Sequence, residues 1–239
     1  MKYGRKFQRT IAMAALIWGI FIGADVASAQ NLGNPGVLPP NSNAFGKSYG
    51  EWSAAWWQWL LSIPEAKNPN LDTTGVNCAE GQSGKVWFLA GTFGGPGVTR
   101  ICTIPTGKAL FFSPLNGVFG DGVGDCDRND PNNPCDINTL RRLAAENVDD
   151  PQLLEVTIDG VPVKNLDQYR VASPVFSAVF PQNDPLFGLA PGLHTPLVSD
   201  GYWLLLAPLS RGPHTIHFNG IGSAGGSGVG VTYHLTVTM

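Results

Sequence analysis

Charged residues are scarce in this chain of 239 residues, at 14% of the sequence, and Lys and Arg form no basic patch after residue 9. Proteins that bind nucleic acid neutralise the phosphates with clustered Lys and Arg side chains. The formal net charge of −3 has the opposite sign. The composition therefore argues against a nucleic-acid partner.

Long apolar runs are also lacking, apart from one at residues 11–23 that is shorter than the roughly 18 to 20 residues of a bilayer-spanning helix. Basic residues precede this run, and Ala27, Ser28 and Ala29 follow it. The pattern predicts a signal peptide over residues 1–29 and a periplasmic or secreted mature chain without a membrane span. Loss of four basic residues and Asp25 leaves 11 basic and 17 acidic residues, a net charge of −6.

Several catalytic motifs are missing as well. The sequence contains no GxSxG nucleophile motif, no CxxC motif, and no glycine-rich phosphate loop followed by a helix. Gly and Pro are abundant instead, at 49 residues together, which indicates a chain that turns often. Residues 30–239 are long enough for one substantial core, so a single domain is the simplest prediction.

Four cysteines follow the predicted signal peptide, an even number that an exported protein can oxidise completely. Three pairings are possible, and the most local one joins Cys78 to Cys102 and Cys126 to Cys135. A metal–thiolate site is the alternative, although the spacing lacks the CxxC pattern. We expect two disulfide bonds.

Residues 48–64 contain four of the seven tryptophans and predict a helix over residues 49–62. Ser48 and Glu51 have the spacing of a capping box, and Pro64 marks the end of the helix. At 100° per residue, one stripe of this helix contains Tyr49, Trp52, Trp56, Trp59 and Leu60.

Two interpretations of this stripe remain open. In one, the indoles fill the core beneath the helix, as an aromatic stripe at helical spacing usually does. In the other, they form a platform on which a ligand stacks, with Trp57, off the main stripe, as the most exposed ring. The candidate ligand-binding residues are Trp52, Trp56, Trp57, Trp59, Tyr202 and Trp203.

The rest of the chain alternates short apolar segments with turns. Strands are predicted at residues 85–90, 99–105, 108–115, 154–158, 161–163, 169–180, 202–207, 214–218 and 229–237, and a second helix at 136–148. Asp159 and Gly160 predict a hairpin turn. We therefore expect a mainly β fold, an antiparallel β-sandwich of immunoglobulin-like or jelly-roll-like type, with the Trp-rich helix and the shorter helix packed on it.

Several motifs carry a resemblance to known proteins. The segments YGEWSAAWWQW, GKVWFLAGTF, CTIPTGKALFF and SDGYWLLLAPLSRGPHTIHF resemble a family of secreted bacterial proteins of uncharacterised activity. The resemblance implies export and one continuous domain, and it supplies no activity, ligand or catalytic residue. The closing GPHTIHF and YHLTV segments are similar to the terminal strands of bacterial immunoglobulin-like modules.

An Asp- and Asn-rich loop at residues 121–136 is the most specific polar motif. Its acid and amide side chains alternate as in a calcium-binding loop, and DGVGDCD resembles a piece of the thrombospondin type 3 calcium repeat. One hypothesis is a solvated loop closed by Cys126 and Cys135. The other is a structural calcium ion held by Asp121, Asp125, Asp127, Asn129 and Asp136.

Histidine and aspartate residues near the end of the chain offer further candidates. His217 and His234 are predicted on the outer face of the last two strands, either as a shared zinc site or as a solvent-facing pair. Asp200 precedes a glycine, which predicts a turn, with catalysis as the alternative.

The function we expect is non-enzymatic binding of an extracellular or cell-envelope ligand. Carbohydrate is the leading ligand class, because exposed aromatic rings stack on the faces of sugars. One alternative is a secreted hydrolase of polysaccharide or another extracellular polymer, which would need a pair of acids from distant loops. The other is a structural protein of the envelope or matrix whose Trp-rich helix is only core.

Overall fold

The computed structural model describes residues 34–95, 97–120, 122–124, 135–223 and 228–239. Within these ranges the two α-helices are α1, Tyr49–Leu61, and α2, Ile137–Val148. The ten strands are β1, Val86–Phe88; β2, Val98–Pro105; β3, Ala109–Gly120; β4, Leu153–Ile158; β5, Val161–Pro162; β6, Arg170–Ala172; β7, Phe176–Phe180; β8, Gly192–Leu206; β9, Gly212–Ile221; and β10, Val229–Thr238. No helix in the described part of the chain is long and apolar enough to cross a membrane.

The strands form two sheets of five strands each. In the first sheet the order is β1, β3, β8 and β6, and β7 pairs with another part of β8. In the second sheet the order is β2, β10, β9, β4 and β5. The prediction of a mainly β fold with a Trp-rich helix and a shorter second helix is confirmed.

Both sheets are mixed, whereas the sequence predicts purely antiparallel pairing. β1 pairs with β3 in parallel, and β2 pairs in parallel with β10, while the other pairings among the described strands are antiparallel. The prediction assumed that strands adjacent in sequence pair with each other, but β2 and β3 enter different sheets. The choice between an immunoglobulin-like and a jelly-roll-like topology stays a prediction.

The two sheets pack face to face, and α1 covers the other face of the first sheet. Phe112 of β3 stacks on Phe218 of β9, with ring centroids 5.0 Å apart. On the opposite face, Trp203 of β8 contacts Trp56 of α1, with centroids 5.4 Å apart. Because consecutive side chains of a strand point to opposite faces, the first sheet is buried on both sides.

Helix α1 begins where the sequence predicts. Ser48 and Glu51 form a capping box, in which Ser48 N donates to Glu51 Oε2 at 2.8 Å and Glu51 N donates to Ser48 Oγ at 3.3 Å. These hydrogen bonds to Ser48 hold the pKa of the Glu51 carboxyl below its usual value. The helix ends at Leu61, one residue before the predicted end, and Pro64 follows in the next turn.

A buried arginine connects an irregular segment to the second sheet. Arg100 of β2 is 1% exposed and donates to the carbonyl oxygens of Asp72, Ala90 and Asn70 at 2.7, 2.7 and 3.3 Å. Its Nη1 also donates to the Tyr233 hydroxyl at 2.9 Å. Four oxygen acceptors therefore replace the water that a buried guanidinium loses.

The predicted disulfide bond between Cys78 and Cys102 is present, with the sulfur atoms 2.05 Å apart. It joins the irregular segment after α1 to β2, beside Arg100. Cys135 is disulfide-bonded as well. Its predicted partner, Cys126, lies outside the described residues.

Asp200 lies inside β8 and not in the predicted turn. The glycine that follows it, Gly201, is opposite Asn116 of β3, where an added Cβ would lie only 2.5 Å from the Asn116 Cβ. Glycine is therefore required here by the close approach of two strands. Asp200 is 8% exposed, and its Oδ2 lies 3.3 Å from Nη2 of Arg170, which also contacts Asp149.

Candidate functional site

The predicted ligand-binding aromatic residues belong mostly to the core. The rings of Trp56, Trp57, Trp59, Tyr202 and Trp203 are each 7% exposed or less. Trp57, expected to be the most exposed, is 4% exposed and packs edge-on against Trp56 at a centroid distance of 5.0 Å. The interpretation of the whole stripe as an exposed platform is therefore corrected to a core stripe with one half-buried ring, Trp52.

A cleft runs along α1 where this stripe reaches the surface. We call it the helix cleft, and it lies between α1 and residues 81–88 with a volume of about 410 Å³. Its lining combines aromatic rings with amide, hydroxyl and ammonium groups, from Trp52, Ala55, Gln58, Trp59, Ser62, Gly81, Ser83, Gly84, Lys85, Val86 and Phe88. It contains two of the six predicted ligand-binding residues, Trp52 and Trp59.

Three aromatic rings form one wall of the helix cleft. Phe88 lies 6.2 Å from Trp52 and 5.4 Å from Trp59 between ring centroids. Each indole is held by its Nε1 atom, which donates to Ala44 O at 3.0 Å in Trp52 and to Glu80 O at 2.9 Å in Trp59. The N–H groups are therefore satisfied by the protein, and the rings present carbon atoms to the cleft.

Some polar side chains of the helix cleft make hydrogen bonds within the protein, and others make none with a described residue. Gln58 Nε2 donates to Ser177 O at 2.9 Å, and Ser62 Oγ donates to Trp59 O at 2.8 Å. The side chains of Ser83 and Lys85 are exposed and make no hydrogen bond or ion pair with another described residue. Both side chains can therefore bind a ligand without breaking a contact within the protein.

The sequence missed the polar side of this cleft. Residues 81–84 read only as an irregular run before a strand, but Gly81 has a φ of 63° and an added Cβ would lie 3.2 Å from the Trp59 indole. Gly81 and Gly84 were the available signal, because Gly81 lets the backbone approach the Trp59 ring and Gly84 leaves open space beside Ser83.

A second concave surface lies on the outer face of the second sheet. This sheet groove has a volume of about 720 Å³ and is lined by Thr99, His217, Thr232 and several glycines. His217 Nδ1 lies 2.9 Å from Thr232 Oγ1, and the other predicted histidine, His234, has its Nδ1 3.4 Å from Thr215 Oγ1. Each histidine thus faces a threonine on the neighbouring strand.

The metal hypotheses fall largely outside the described structure. Asp121, Asp125, Asp127 and Asn129 lie outside the described residues, while Asp136 caps α2 by accepting from Asn138 N at 2.9 Å and Thr139 N at 3.3 Å. These bonds, led by the one from the Thr139 side chain, lower the pKa of Asp136. The described part of the chain contains no group of three His, Cys, Asp or Glu residues placed to hold a metal ion.

The fold brings Asp159 and Ser210, which lie 55 and 4 residues from His214 in the sequence, beside that histidine. His214 Nδ1 lies 2.7 Å from Asp159 Oδ2, and its Nε2 lies 3.3 Å from Ser210 Oγ. The same Nε2 lies closer, at 2.9 Å, to the carbonyl oxygen of Ser210. A carbonyl requires a donor, so the contacts fit an imidazolium ion that ties two loops together better than a general base that accepts from a hydroxyl.

Replacing His214 by Gln should flatten the pH dependence of stability. Burial lowers the pKa of His214, but the bonds to Asp159 and Ser210 outweigh it and raise the pKa above its usual 6.5. The stabilisation is therefore fully present below the unfolded pKa and is lost as the pH rises through the folded pKa. In urea titrations at about pH 5, we expect the free energy of unfolding of H214Q to be up to about 1 kcal/mol below that of wild type. The difference should shrink as the pH rises above the usual histidine pKa of about 6.5.

The control for this measurement is His234→Gln, since His234 is exposed and has no carboxylate partner among the described residues. It should retain the wild-type slope. Parallel slopes for wild type and H214Q would contradict the ion-pair assignment.

Comparison with known proteins gives no relative from which a role can be transferred. No family model, no curated protein and no solved structure matches the chain. The structure alone therefore gives the class of protein: a mainly β protein of two packed sheets, with an aromatic cleft beside the helix that covers the first sheet.

Proposed function

We propose that this protein is exported and binds a carbohydrate of the cell envelope or the extracellular space in the helix cleft. The observation that carries the proposal is the aromatic wall of Trp52, Trp59 and Phe88 beside the unoccupied polar side chains of Ser83 and Lys85. A pyranose ring has an apolar C–H face and a rim of hydroxyl groups. The cleft offers a complementary surface to both.

The chemistry of the cleft favours binding over hydrolysis. Its polar side chains are amide, hydroxyl and ammonium groups, which hold a saccharide through hydrogen bonds. Glycoside hydrolysis uses two carboxylates that flank the scissile bond. The larger sheet groove is a poorer match for a sugar, because its described lining has hydroxyl, amide and imidazole groups but no Trp, Tyr or Phe ring.

Replacing Trp52 by Ala should weaken saccharide binding about tenfold, since stacking on one aromatic ring contributes on the order of 1 kcal/mol or more. The measurement is a titration with a panel of envelope and plant-wall oligosaccharides, followed by tryptophan fluorescence and calorimetry. Phe187→Ala is the matched control, because Phe187 is a half-exposed aromatic residue outside the cleft. It should leave the affinity unchanged.

A second variant distinguishes a loss of binding from a loss of folded structure. Ser83→Trp places a large side chain at an exposed position of the cleft without removing a core residue, and it should block binding while thermal unfolding stays at the wild-type temperature. The proposal fails if no saccharide of the panel binds. It also fails if a saccharide binds W52A and S83W as tightly as wild type.

A further inference from the structure

The lysines of this acidic protein gather around the helix cleft. Only five lysines follow residue 29, in a segment whose net charge is −6. Lys85 lines the cleft, Lys108 Nζ donates to the carbonyl oxygen of the lining residue Gly84, and Lys47 Nζ lies 5.8 Å from the centre of the Trp52 ring. Three of the five lysines therefore lie at a single surface feature.

The acidic residues near the cleft do not neutralise Lys85. The carboxylate of Glu51 accepts from both the backbone N and the Oγ of Ser48, each at 2.8 Å. These hydrogen bonds lower the pKa of Glu51, and the charge of Lys47 lowers it further. Glu80 contributes its backbone carbonyl to Trp59, and its side chain makes no ion pair with a described residue. Lys85 is the charged residue of the described lining, and its ammonium group has no partner there.

We propose that the saccharide of the helix cleft is anionic and that its acidic group binds Lys85. The inference rests on the proposed function and narrows its ligand class to sugars that carry a carboxylate or a sulfate ester. The sugar ring lies against the wall of Trp52, Trp59 and Phe88, and the anion accepts hydrogen bonds from the Lys85 ammonium group and the Ser83 hydroxyl.

The electrostatics of the whole protein strengthen this preference. A charge-assisted hydrogen bond is roughly twice as strong as a neutral one. Lys47 and Lys108 lie outside the contact, but as cations beside Trp52 and Gly84 of the cleft they raise the local potential and attract an anion. The net charge of −6 after residue 29 disfavours binding of the same anion elsewhere on the protein.

The test compares saccharides that differ only in charge. Short oligogalacturonates are titrated against their fully methyl-esterified forms, and sulfated oligosaccharides against their desulfated forms, by calorimetry at about 0.01 M and about 0.15 M salt. We expect one acidic form to bind about five- to tenfold more tightly than its neutral counterpart. The preference should shrink at the higher salt concentration.

The variant Lys85→Gln should abolish the preference for the acidic form, because it should lower the affinity for the acidic form more than the affinity for the neutral form. Lys164→Gln is the control, because Lys164 is exposed, lies outside the cleft lining, and contacts Asn34 only through its backbone atoms. It should behave as wild type. The pair of acidic ligands also identifies whether the bound anion is a carboxylate or a sulfate.

The outcomes separate this inference from the proposed function. Equal affinity for acidic and neutral forms overturns the anionic assignment and leaves carbohydrate binding in place. A preference for the acidic form that survives in K85Q overturns the assignment to Lys85. If none of the saccharides binds, the proposed function fails, and the inference fails with it.

Discussion

Replacing Trp203 by Ala is expected to lower the free energy of unfolding by about 4 kcal/mol. Trp203 is fully buried in β8, at the contact between the first sheet and α1. Its ring stacks on Phe111 with a centroid distance of 5.1 Å and an interplanar angle of 5°, and it meets the edge of Trp56 at 5.4 Å. Truncation therefore removes the apolar contact of a whole indole and leaves a cavity between two layers.

A pair of conservative variants separates packing from hydrogen bonding at this contact. Trp56 Nε1 donates to Leu89 O at 3.1 Å, whereas Trp203 Nε1 has no hydrogen-bond partner among the described residues. Both Trp→Phe changes remove part of a buried ring, but only W56F leaves a carbonyl without its donor. W56F should cost about 1 kcal/mol more than W203F.

Urea unfolding followed by circular dichroism measures all three variants, because it does not depend on the tryptophans that are removed. The slope of the transition should stay constant while the midpoint moves. A loss below about 1 kcal/mol in W203A would contradict the placement of this ring in the core.

Replacing Arg100 by Met should cost about 3 kcal/mol, the second largest effect that we expect. The change leaves the carbonyl oxygens of Asp72 and Asn70 without their donor, since each accepts from the guanidinium. Ala90 O keeps a bond from the Tyr233 hydroxyl at 2.9 Å. Two orphaned carbonyl groups at about 1 to 2 kcal/mol each account for the expected loss.

Lysine is a poor substitute at this position. One ammonium group cannot reach acceptors on opposite sides of a planar guanidinium, so R100K should recover less than half of the loss. Arg142→Met is the matched control, because Arg142 pairs with Glu146 at 2.8 Å on the exposed side of α2 and should contribute below about 0.5 kcal/mol. If R100M and R142M lose the same free energy of unfolding within error, Arg100 does not stabilise the attachment of the irregular segment to the second sheet.

Hydrogen exchange locates the damage in R100M. Residues 68–77 have few regular backbone pairings and are held by Arg100, by the Cys78–Cys102 bond and by Asp72, which accepts from Thr74 N at 2.8 Å and Asn77 N at 2.9 Å. We expect faster exchange in this segment and unchanged exchange in β3 and β8.

Local signals in the sequence predicted the individual elements well. The capping box of Ser48 and Glu51 placed the start of α1 correctly, and His217 and His234, predicted on the outer face of the last two strands, are indeed not buried. These features depend on residues close together in the chain, for which propensity and periodicity are informative. The elements that were missed depend on distant neighbours: the predicted strand began only at residue 202, because Asp200 and Gly201 form a common turn pair, so the N-terminal part of β8 was not predicted.

The candidate site was only partly predictable, for a related reason. Periodicity indicates which residues share a face of α1, but it cannot show which surface covers that face. Trp52 and Trp59 were identified, and the residues that complete the cleft, Ser83 and Lys85, lie on a segment that only the tertiary structure brings beside the helix. The prediction that Trp57 is exposed was wrong, because its ring packs edge-on against Trp56 of the same helix and helical periodicity does not show this contact.

The parallel pairing of β2 with β10 has a consequence for how the chain acquires its structure. β10 lies between β2 and β9, and the register pairs Val98 with Val231 across about 130 residues of intervening chain. Closing so long a loop costs entropy before any contact is gained, and topologies dominated by such contacts fold slowly. β2 therefore stays an unpaired strand edge until β10 is available, and such an edge can pair with another chain and aggregate while folding is incomplete.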